Sequence, residues 1–228
     1  MTKTNILVIG GGPAGVIAAV TAKKKNPTKK VILIRENKIS VIPCGIPYVF
    51  NRLDSVKKDI LPDKSLLDNK IGIIIDKALS ISTLEKIVIL ASKKHIQYDR
   101  LIIATGSKPI KIPIDGIGKK GVWQVKKDFE YLKKLRRAVV KAKKIVIIGG
   151  GYIGVELAEE LSNIKSKKIT IFEKMDHCLG TTMDREFTEV AEKRLIKKGV
   201  DIHTQAEVKE IGGKDKVRYV ILKNQKKI

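Results

Sequence analysis

TNILVIGGGPAG, residues 4–15, carries the clearest structural signal in this chain. Thr4 to Ile9 is a short apolar run rich in β-branched residues, which is typical of a buried parallel strand. The glycines that follow fit the pattern G-x-G-x-x-G. Val16 to Lys25 predicts a helix of small residues, and Lys30 to Ile34 predicts a second strand. The stretch therefore predicts a βαβ unit with a glycine turn between its first strand and its helix.

The same arrangement returns 139 residues later. Lys144 to Ile148 predicts a strand, and GGGYIG follows at residues 149–154. A helix is predicted to run on from this turn through Glu156 to about Leu161, and the next strand is predicted at Lys168 to Phe172. Two such units predict an α/β fold with two Rossmann-like nucleotide-binding domains, central parallel sheets and small antiparallel β-meanders.

The remainder of the second half fits a nucleotide-binding domain. Arg185 to Lys198 predicts a helix that ends at Gly199, and Val200 to Thr204 predicts a strand. Residues 206–222 alternate like an antiparallel hairpin around two glycines. Prolines and glycines between residues 109 and 120 indicate a linker. We therefore predict one domain over residues 1–115 and a second over residues 116–228.

Each position of the glycine pattern has its own physical reason. The first glycine permits a tight turn, the second lets a pyrophosphate approach the backbone, and the third lets the helix pack closely on the strand. The N-terminus of the helix then faces the phosphates with unsatisfied N–H groups and its positive dipole end. The residues predicted to bind the two nucleotides at these turns are Gly10, Gly12, Pro13, Ala14 and Gly15, and Gly149, Gly151, Tyr152, Ile153, Gly154 and Glu156.

An acidic residue is expected at the end of each unit's second strand, where it binds the ribose hydroxyls. In the second unit this residue is Glu173, and a carboxylate there favours NAD(H) over NADP(H) because it repels a 2′-phosphate. The adjacent Lys174 acts against that preference. In the first unit Arg35 precedes Glu36, so Glu36 is the candidate ribose ligand and an ordinary surface carboxylate is the alternative.

The composition argues against several other classes of protein. The formal charge is +23, but the lysines are spread along the chain, and the ten aromatic residues are few for a base-stacking surface. We therefore expect no specific nucleic-acid partner. No apolar run reaches the roughly 20 residues that a spanning helix needs, so we expect no membrane partner. Two cysteines without zinc-site spacing indicate no metal and a reducing, cytoplasmic location.

Beyond the two turns, three segments resemble the pyridine nucleotide-disulfide oxidoreductases. Residues 98–109, YDRLIIATGSKP, resemble the family segment Y-D-x-L-x-x-A-T-G-S-x-P, which places Ala104, Thr105 and Gly106 beside the flavin. Residues 151–158, GYIGVELA, resemble its G-Y-I-G-x-E-x-A segment, and that places Glu156 near the junction of nicotinamide and flavin. Residues 44–48, CGIPY, resemble the single-cysteine branch of coenzyme A-disulfide reductases, NADH oxidases and persulfide reductases.

The resemblance implies an FAD-binding domain at residues 1–115 and an NAD(H)-binding domain at 116–228. It implies an oxidoreductase that passes a hydride from NAD(P)H to FAD and on to a disulfide, persulfide or oxygen-type acceptor through Cys44. Val41 and Pro43 depart from the Phe and Asn of that branch. The chain also ends before the G-D segment and the dimerisation domain of the family, which leaves the homodimer open. The alternative is a truncated, catalytically silent nucleotide-binding protein.

The two cysteines receive different interpretations. Gly45 to Arg52 is predicted to form a short helix, which places Cys44 at its N-terminus, a position that favours a reactive thiolate. The alternative for Cys44 is a buried structural cysteine. Cys178 has no partner at short spacing and is interpreted as structural.

Overall fold

The computed structural model describes residues 1–110 and 112–228, and these form two compact units. The first unit contains Met1–Cys44, Asp59–Lys108 and Lys127–Phe129. The second contains the remaining stretches, and residues 45–58 are among them. The division at residues 115 and 116 concerns folding domains and stays a prediction.

Thirteen strands and five α-helices alternate along the described residues. In chain order they are β1 (Thr2–Ile9), α1 (Pro13–Lys25), β2 (Val31–Arg35), β3 (Ser40–Val41), β4 (Ile60–Leu61), α2 (Lys64–Asp68), β5 (Gly72–Ile75), β6 (Ala78–Ser82), β7 (Ile87–Leu90), β8 (His95–Ile103), α3 (Phe129–Lys141), β9 (Lys144–Ile148), α4 (Tyr152–Ser162), β10 (Lys168–Phe172), α5 (Arg185–Lys197), β11 (Asp201–His203), β12 (Val208–Gly212) and β13 (Tyr219–Leu222). Three short 3₁₀ helices lie at Pro43–Gly45, Pro47–Phe50 and Val56–Asp59.

The first unit is built on a six-stranded sheet in the order β5-β2-β1-β8-β7-β6. The strands β5, β2, β1 and β8 run parallel, and β8, β7 and β6 form an antiparallel meander. Both faces of β1 are buried, since Leu7 and Ile9 belong to one apolar cluster and Val8 to another. This double burial explains why the strand is apolar throughout rather than alternating. The second cluster includes Val16 and Ala19, through which α1 packs on the sheet.

The second unit repeats the parallel arrangement on a smaller scale. Its sheet has the order β11-β10-β9, and every neighbouring pair is parallel. The helix α4 buries Ala158 and Leu161, while β12 and β13 pair as an antiparallel hairpin. The two sheets, the antiparallel meander and the β12–β13 hairpin confirm the predicted fold class.

Some predicted boundaries were wrong, each for a local reason. The helix α1 begins at Pro13 rather than Val16, because proline is well tolerated in the first turn of a helix. The strands of the hairpin are shorter than predicted, and Gly213 turns the chain with a φ of 138°. Among the described residues, no helix is long and apolar enough to cross a membrane.

Candidate functional site

The first glycine turn packs closely against backbone atoms at Gly10 and Gly15, and it leaves space for a ligand at Gly12. A Cβ at Gly10 would lie 2.0 Å from the carbonyl oxygen of Ala104, and Gly10 has a φ of 123°. A Cβ at Gly15 would lie 1.9 Å from the carbonyl oxygen of Gly10. At Gly12 a Cβ would meet nothing within 4 Å. The turn therefore packs tightly against its own unit but leaves room above Gly12.

The open side of this turn is also the N-terminus of α1. Gly12 is the N-cap and Pro13 the first helical residue, and no side chain caps the helix. The first N–H groups of a helix, here those of Ala14 and Gly15, have no partner within the helix. The first turn of α1 carries no acidic side chain, so none competes with a ligand for these N–H groups. Space and donors together fit a pyrophosphate.

The second glycine turn shares with the first its anchoring hydrogen bond, the close packing of its last glycine and the space at the start of its helix. The backbone N–H of Gly149 donates to Phe172 at 2.8 Å, as that of Gly10 donates to Ile34 at 2.8 Å. A Cβ at Gly154 would lie 2.1 Å from the carbonyl oxygen of Gly149, whereas at Gly151 it would meet nothing within 4 Å. The helix α4 starts directly after Gly151, and the exposed side chains near its start are those of Tyr152, Ile153 and Glu156.

Glu173 directs its carboxylate at the second turn. Only 8% of Glu173 is exposed, and its Oε2 accepts a 2.6 Å hydrogen bond from the backbone N–H of Gly150. Its Oε1 accepts a 2.8 Å bond from the N–H of Met175. Each carboxylate oxygen has a second lone pair for a ribose hydroxyl. The arrangement fits a nucleotide without a 2′-phosphate, as the sequence predicts.

In the first unit, the position that corresponds to Glu173 is occupied by a positively charged side chain. Because Ile34 and Phe172 make the same bond to their turns, Arg35 corresponds to Glu173. Arg35 is 6% exposed and forms a bidentate pair with Asp63 at 2.6 and 2.7 Å. Its aliphatic part lies along the turn, since a Cβ at Gly11 would be 2.6 Å from Arg35 Cδ.

Glu36, the predicted ribose ligand, lies elsewhere. Its side chain is 60% exposed and makes a 3.8 Å ion pair with Lys77, which fits the alternative of a surface carboxylate. Asp63 is the acidic residue that the sequence analysis missed. It is 28 residues from Arg35 in the chain, and no spacing rule connects the two positions.

The end of β8 lies at the first turn. The backbone N–H of Ala104 donates to Ile9 at 2.8 Å, which holds Ala104 beside Gly10. Thr105 and Gly106 follow as exposed residues, and Gly106 has a φ of 69°. The structure thus brings this predicted segment and the first glycine turn together.

Cys44 is exposed and lies inside the 3₁₀ helix Pro43–Gly45. The prediction of a single helix over residues 45–52 with Cys44 at its N-terminus was wrong, because the chain forms two separate short 3₁₀ helices. Pro47 begins the second of them. The exposure of Cys44 also does not fit the alternative of a buried structural cysteine.

Cys178 has the opposite environment. It is 1% exposed, and a Cβ at Gly150 would lie 2.6 Å from its Sγ. Burial and, to a lesser extent, the nearby carboxylates of Glu192 and Glu173 together raise the pKa of the Cys178 thiol to about 12. A thiol in this state is protonated at neutral pH, which supports the structural interpretation.

Asp59, which lies after Cys44 in the chain, is a buried carboxyl group. It is 1% exposed, and its Oδ2 has no hydrogen-bond partner among the described residues. Burial raises the pKa of Asp59 from its ordinary 3.8 to about 6. The folded chain therefore binds more protons than the unfolded chain between these values, so the free energy of unfolding falls as pH rises across that window.

We expect Asp59→Asn to remove this pH dependence. The loss in unfolding free energy between pH 4 and pH 7 should be smaller in the variant by about 2 kcal/mol. Urea unfolding at intervals from pH 4 to pH 8 measures the difference. Asp68→Asn, at an exposed carboxylate, is the matched control and should keep the pH profile of the parent chain. An Asp59→Asn profile that follows the parent would contradict the prediction.

The two turns define the class: a dinucleotide-binding protein with paired Rossmann-type units. Residues 4–228 match the family described as pyridine nucleotide-disulphide oxidoreductase. The chain belongs to this family, which confirms the predicted family and its cofactors, FAD and NAD(H).

Known proteins extend this result. The chain is 31% identical to the NAD(P)H coenzyme A polysulfide/persulfide reductase of Pyrococcus horikoshii, over 96% of this chain and 50% of that protein. It is 28% identical to an NADH oxidase of Methanocaldococcus jannaschii, over 94% and 50% of the two chains. The solved structure of a NAD-dependent persulfide reductase from A. fulgidus is similar to this chain, with a TM-score of 0.86 and 29% identity. The match covers 98% of this chain and 44% of that protein. The chain spans about half the length of the curated relatives it matches.

Proposed function

We propose that this chain binds FAD at the first glycine turn and NAD(H) at the second. The observation that supports this most directly is the repeated helix start at Gly12 and Gly151, where an added Cβ would meet nothing within 4 Å, while Gly15 and Gly154 pack against the backbone of their own turns. Bound there, the flavin would take a hydride from NAD(P)H and release its electrons to an acceptor. Glu173 is proposed to bind the ribose of NAD(H), and its charge disfavours the 2′-phosphate of NADP(H).

Cys44 is proposed as the group that meets the acceptor. Its thiolate attacks a disulfide sulfur, so that one sulfur–sulfur bond forms, another breaks, and half of the acceptor leaves as a thiolate. Two electrons from NAD(P)H and a proton then cleave the mixed disulfide and return the Cys44 thiolate. The exposure of Cys44 gives an acceptor access to it. A persulfide acceptor is proposed by the same route, because a relative is named for polysulfide/persulfide reduction. An oxygen-type acceptor is also proposed, because another relative is named NADH oxidase. Oxygen has no sulfur–sulfur bond to exchange, so it would take the two electrons without a mixed disulfide on Cys44.

The cellular setting that suits this chemistry is reducing. A single exposed thiol without a disulfide partner persists in the cytoplasm, and we propose that location. Homodimerisation, which the resemblance implies, stays a prediction.

A second candidate is a chain that binds NAD(H) alone and is catalytically silent. The observation that favours it is the cation Arg35, which stands in the first unit where the second has Glu173. Asp63 neutralises Arg35, so the first turn is not closed to a flavin nucleotide by charge alone. The two candidates differ only at the first turn.

The visible absorption spectrum separates them. The purified chain is incubated with FAD, passed over a desalting column, and its spectrum is recorded before and after anaerobic NADH. A retained flavin spectrum that bleaches with NADH supports the oxidoreductase. A colourless protein that still enhances NADH fluorescence would support the silent NAD-binding chain and contradict the first proposal.

A further inference from the structure

The fourteen residues after Cys44 pack with the nucleotide-binding second unit. Residues 45–58, here called the docked segment, cluster with that unit, whereas Cys44 itself belongs to the first. The chain thus passes from one unit to the other at the peptide bond after the cysteine. Ile46, Val49 and Phe50 are buried at 2%, 0% and 4% exposure. The segment is therefore an integral part of the second unit's packing and not a surface loop.

A fully buried carboxylate on α4 binds the docked segment. Glu160 is 1% exposed, and its Oε1 lies 2.9 Å from Nε of Arg52. Its Oε2 accepts a 3.2 Å hydrogen bond from the backbone N–H of Arg52. A buried charge that loses its partner is strongly unfavourable, so Glu160 holds Arg52 against the helix. The Arg52 side chain is 61% exposed and also lies over the ring of Tyr48, at 5.2 Å from its centroid.

A guanidinium on α3 binds the same segment from a second helix. Arg136 donates from Nε to the backbone carbonyl of Val49 at 2.9 Å. Its Nη2 forms an ion pair with Asp54. The side chain of Arg136 is 25% exposed and that of Asp54 is 80% exposed, so solvent screens the ion pair more than the bond to the Val49 carbonyl. Two helices thus fix both the middle and the end of the docked segment.

The helix that carries Glu160 also carries the second glycine turn at its start. Glu160 lies nine residues after the N-cap Gly151, about 13 Å along the helix axis. An α-helix of this length transmits a displacement of its first turn as a nearly rigid rod. The proposed nucleotide site and the contact with the docked segment therefore lie toward opposite ends of α4.

We propose that Glu160 and Arg136 are positioning residues that couple the reactivity of Cys44 to nucleotide binding. The inference rests on the proposed binding of NAD(H) at the second turn. NADH bound at Gly151 stabilises the first turn of α4, which favours the state in which the segment is docked. A released segment gives Cys44 more conformational freedom, and the docked segment restricts it. NADH should therefore slow the chemical modification of Cys44 without contacting the cysteine.

The test measures alkylation of Cys44 by iodoacetamide, with and without NADH, by peptide mass spectrometry on the full chain. NADH should slow the alkylation of the parent chain by about fivefold or more. In Glu160→Gln and in Arg136→Gln, alkylation without NADH should be faster and the NADH effect should fall below about twofold. Circular dichroism shows that each variant is folded, and Arg136→Gln keeps the test valid if Glu160→Gln does not fold.

The neighbouring residue on the same helix provides a matched control. Glu159 pairs with Lys198 at 2.5 Å and does not contact the docked segment. Glu159→Gln should therefore keep the NADH effect of the parent chain. Equilibrium coupling is reciprocal, so a substitution that weakens docking of the segment should also weaken NADH binding. NADH fluorescence should therefore show a lower NADH affinity in Glu160→Gln than in the parent chain and an unchanged affinity in Glu159→Gln.

The possible failures are distinguishable by a separate NADH titration, followed by NADH fluorescence. If NADH does not bind the parent chain, the proposed function fails. If NADH binds and protects Cys44 equally in the parent chain and in Glu160→Gln, the protection is direct shielding and the coupling inference is overturned. If NADH binds and leaves alkylation unchanged, the coupling inference is also overturned while the proposed function stands.

Discussion

Gly151→Ala should fold normally and lose NADH affinity by at least about a hundredfold, whereas Gly154→Ala should lose much of its stability. A methyl group at Gly151 meets nothing within 4 Å, and its φ of −72° suits any residue. Alanine at the N-cap in place of glycine costs about 1 kcal/mol of helix stability. The methyl group would, however, occupy the space that a pyrophosphate needs to reach the backbone.

At Gly154 the added carbon would lie 2.1 Å from the carbonyl oxygen of Gly149, which requires a backbone shift. Overpacking of this kind costs about 3 kcal/mol or more where backbone cannot yield. Urea unfolding measures stability, and the quenching or enhancement of NADH fluorescence measures affinity. Gly12→Ala and Gly15→Ala repeat the comparison in the first unit, with FAD retention as the readout. Tight NADH binding by Gly151→Ala would contradict the assignment of the second turn as a nucleotide site.

The two parallel units could be predicted from sequence because their signals are local. The strands β9 and β10 have the bounds that the sequence predicts, since both are continuous apolar runs after a lysine, although only β10 is buried along that run. The glycine turns lie where the pattern predicts because the steric demands at Gly10, Gly15 and Gly154 leave no alternative residue. Such requirements act within a few residues and leave a fixed spacing in the chain.

The contacts that distinguish the two units from each other could not be predicted. Arg35 finds Asp63 across 28 residues, and Glu160 finds Arg52 across 108. A pair of opposite charges at such separations has no periodic signature among many other lysines and acidic residues. Glu159 and Glu160 illustrate the difficulty, because they are chemically identical neighbours on one helix. Only the tertiary packing of the docked segment determines that Glu160 is buried.

The two 3₁₀ helices around Cys44 could not be predicted from the sequence for a related reason. Short segments with proline are compatible with a first helical turn and with an isolated 3₁₀ turn alike. Residues 45–58 are held by contacts with α3 and α4 rather than by a helix of their own. The local pattern therefore predicted the wrong element at the residue proposed to carry the chemistry. The case for Cys44 must be decided by its reactivity and not by a helix terminus.

Cys44→Ser, in the chain loaded with FAD, should lose NADH-dependent disulfide reduction by at least about a thousandfold and keep NADH-dependent ferricyanide reduction. A serine hydroxyl at neutral pH does not replace a thiolate as the nucleophile on sulfur. Ferricyanide takes electrons without a covalent sulfur intermediate, so its reduction reports on the nucleotide sites alone. Coupled assays with NADH absorbance give both rates on one preparation. The size of the loss follows from the removal of a covalent nucleophile.

The second cysteine provides the control for this experiment. Cys178 is buried, and its pKa of about 12 keeps the thiol protonated, so Cys178→Ser should retain disulfide reduction. Loss of both activities in Cys44→Ser would indicate damage to the flavin or nucleotide sites rather than loss of a nucleophile. Retained disulfide reduction in Cys44→Ser would contradict the proposed role of Cys44. Because the two thiols differ so strongly in exposure, equal effects of the two substitutions would contradict it as well.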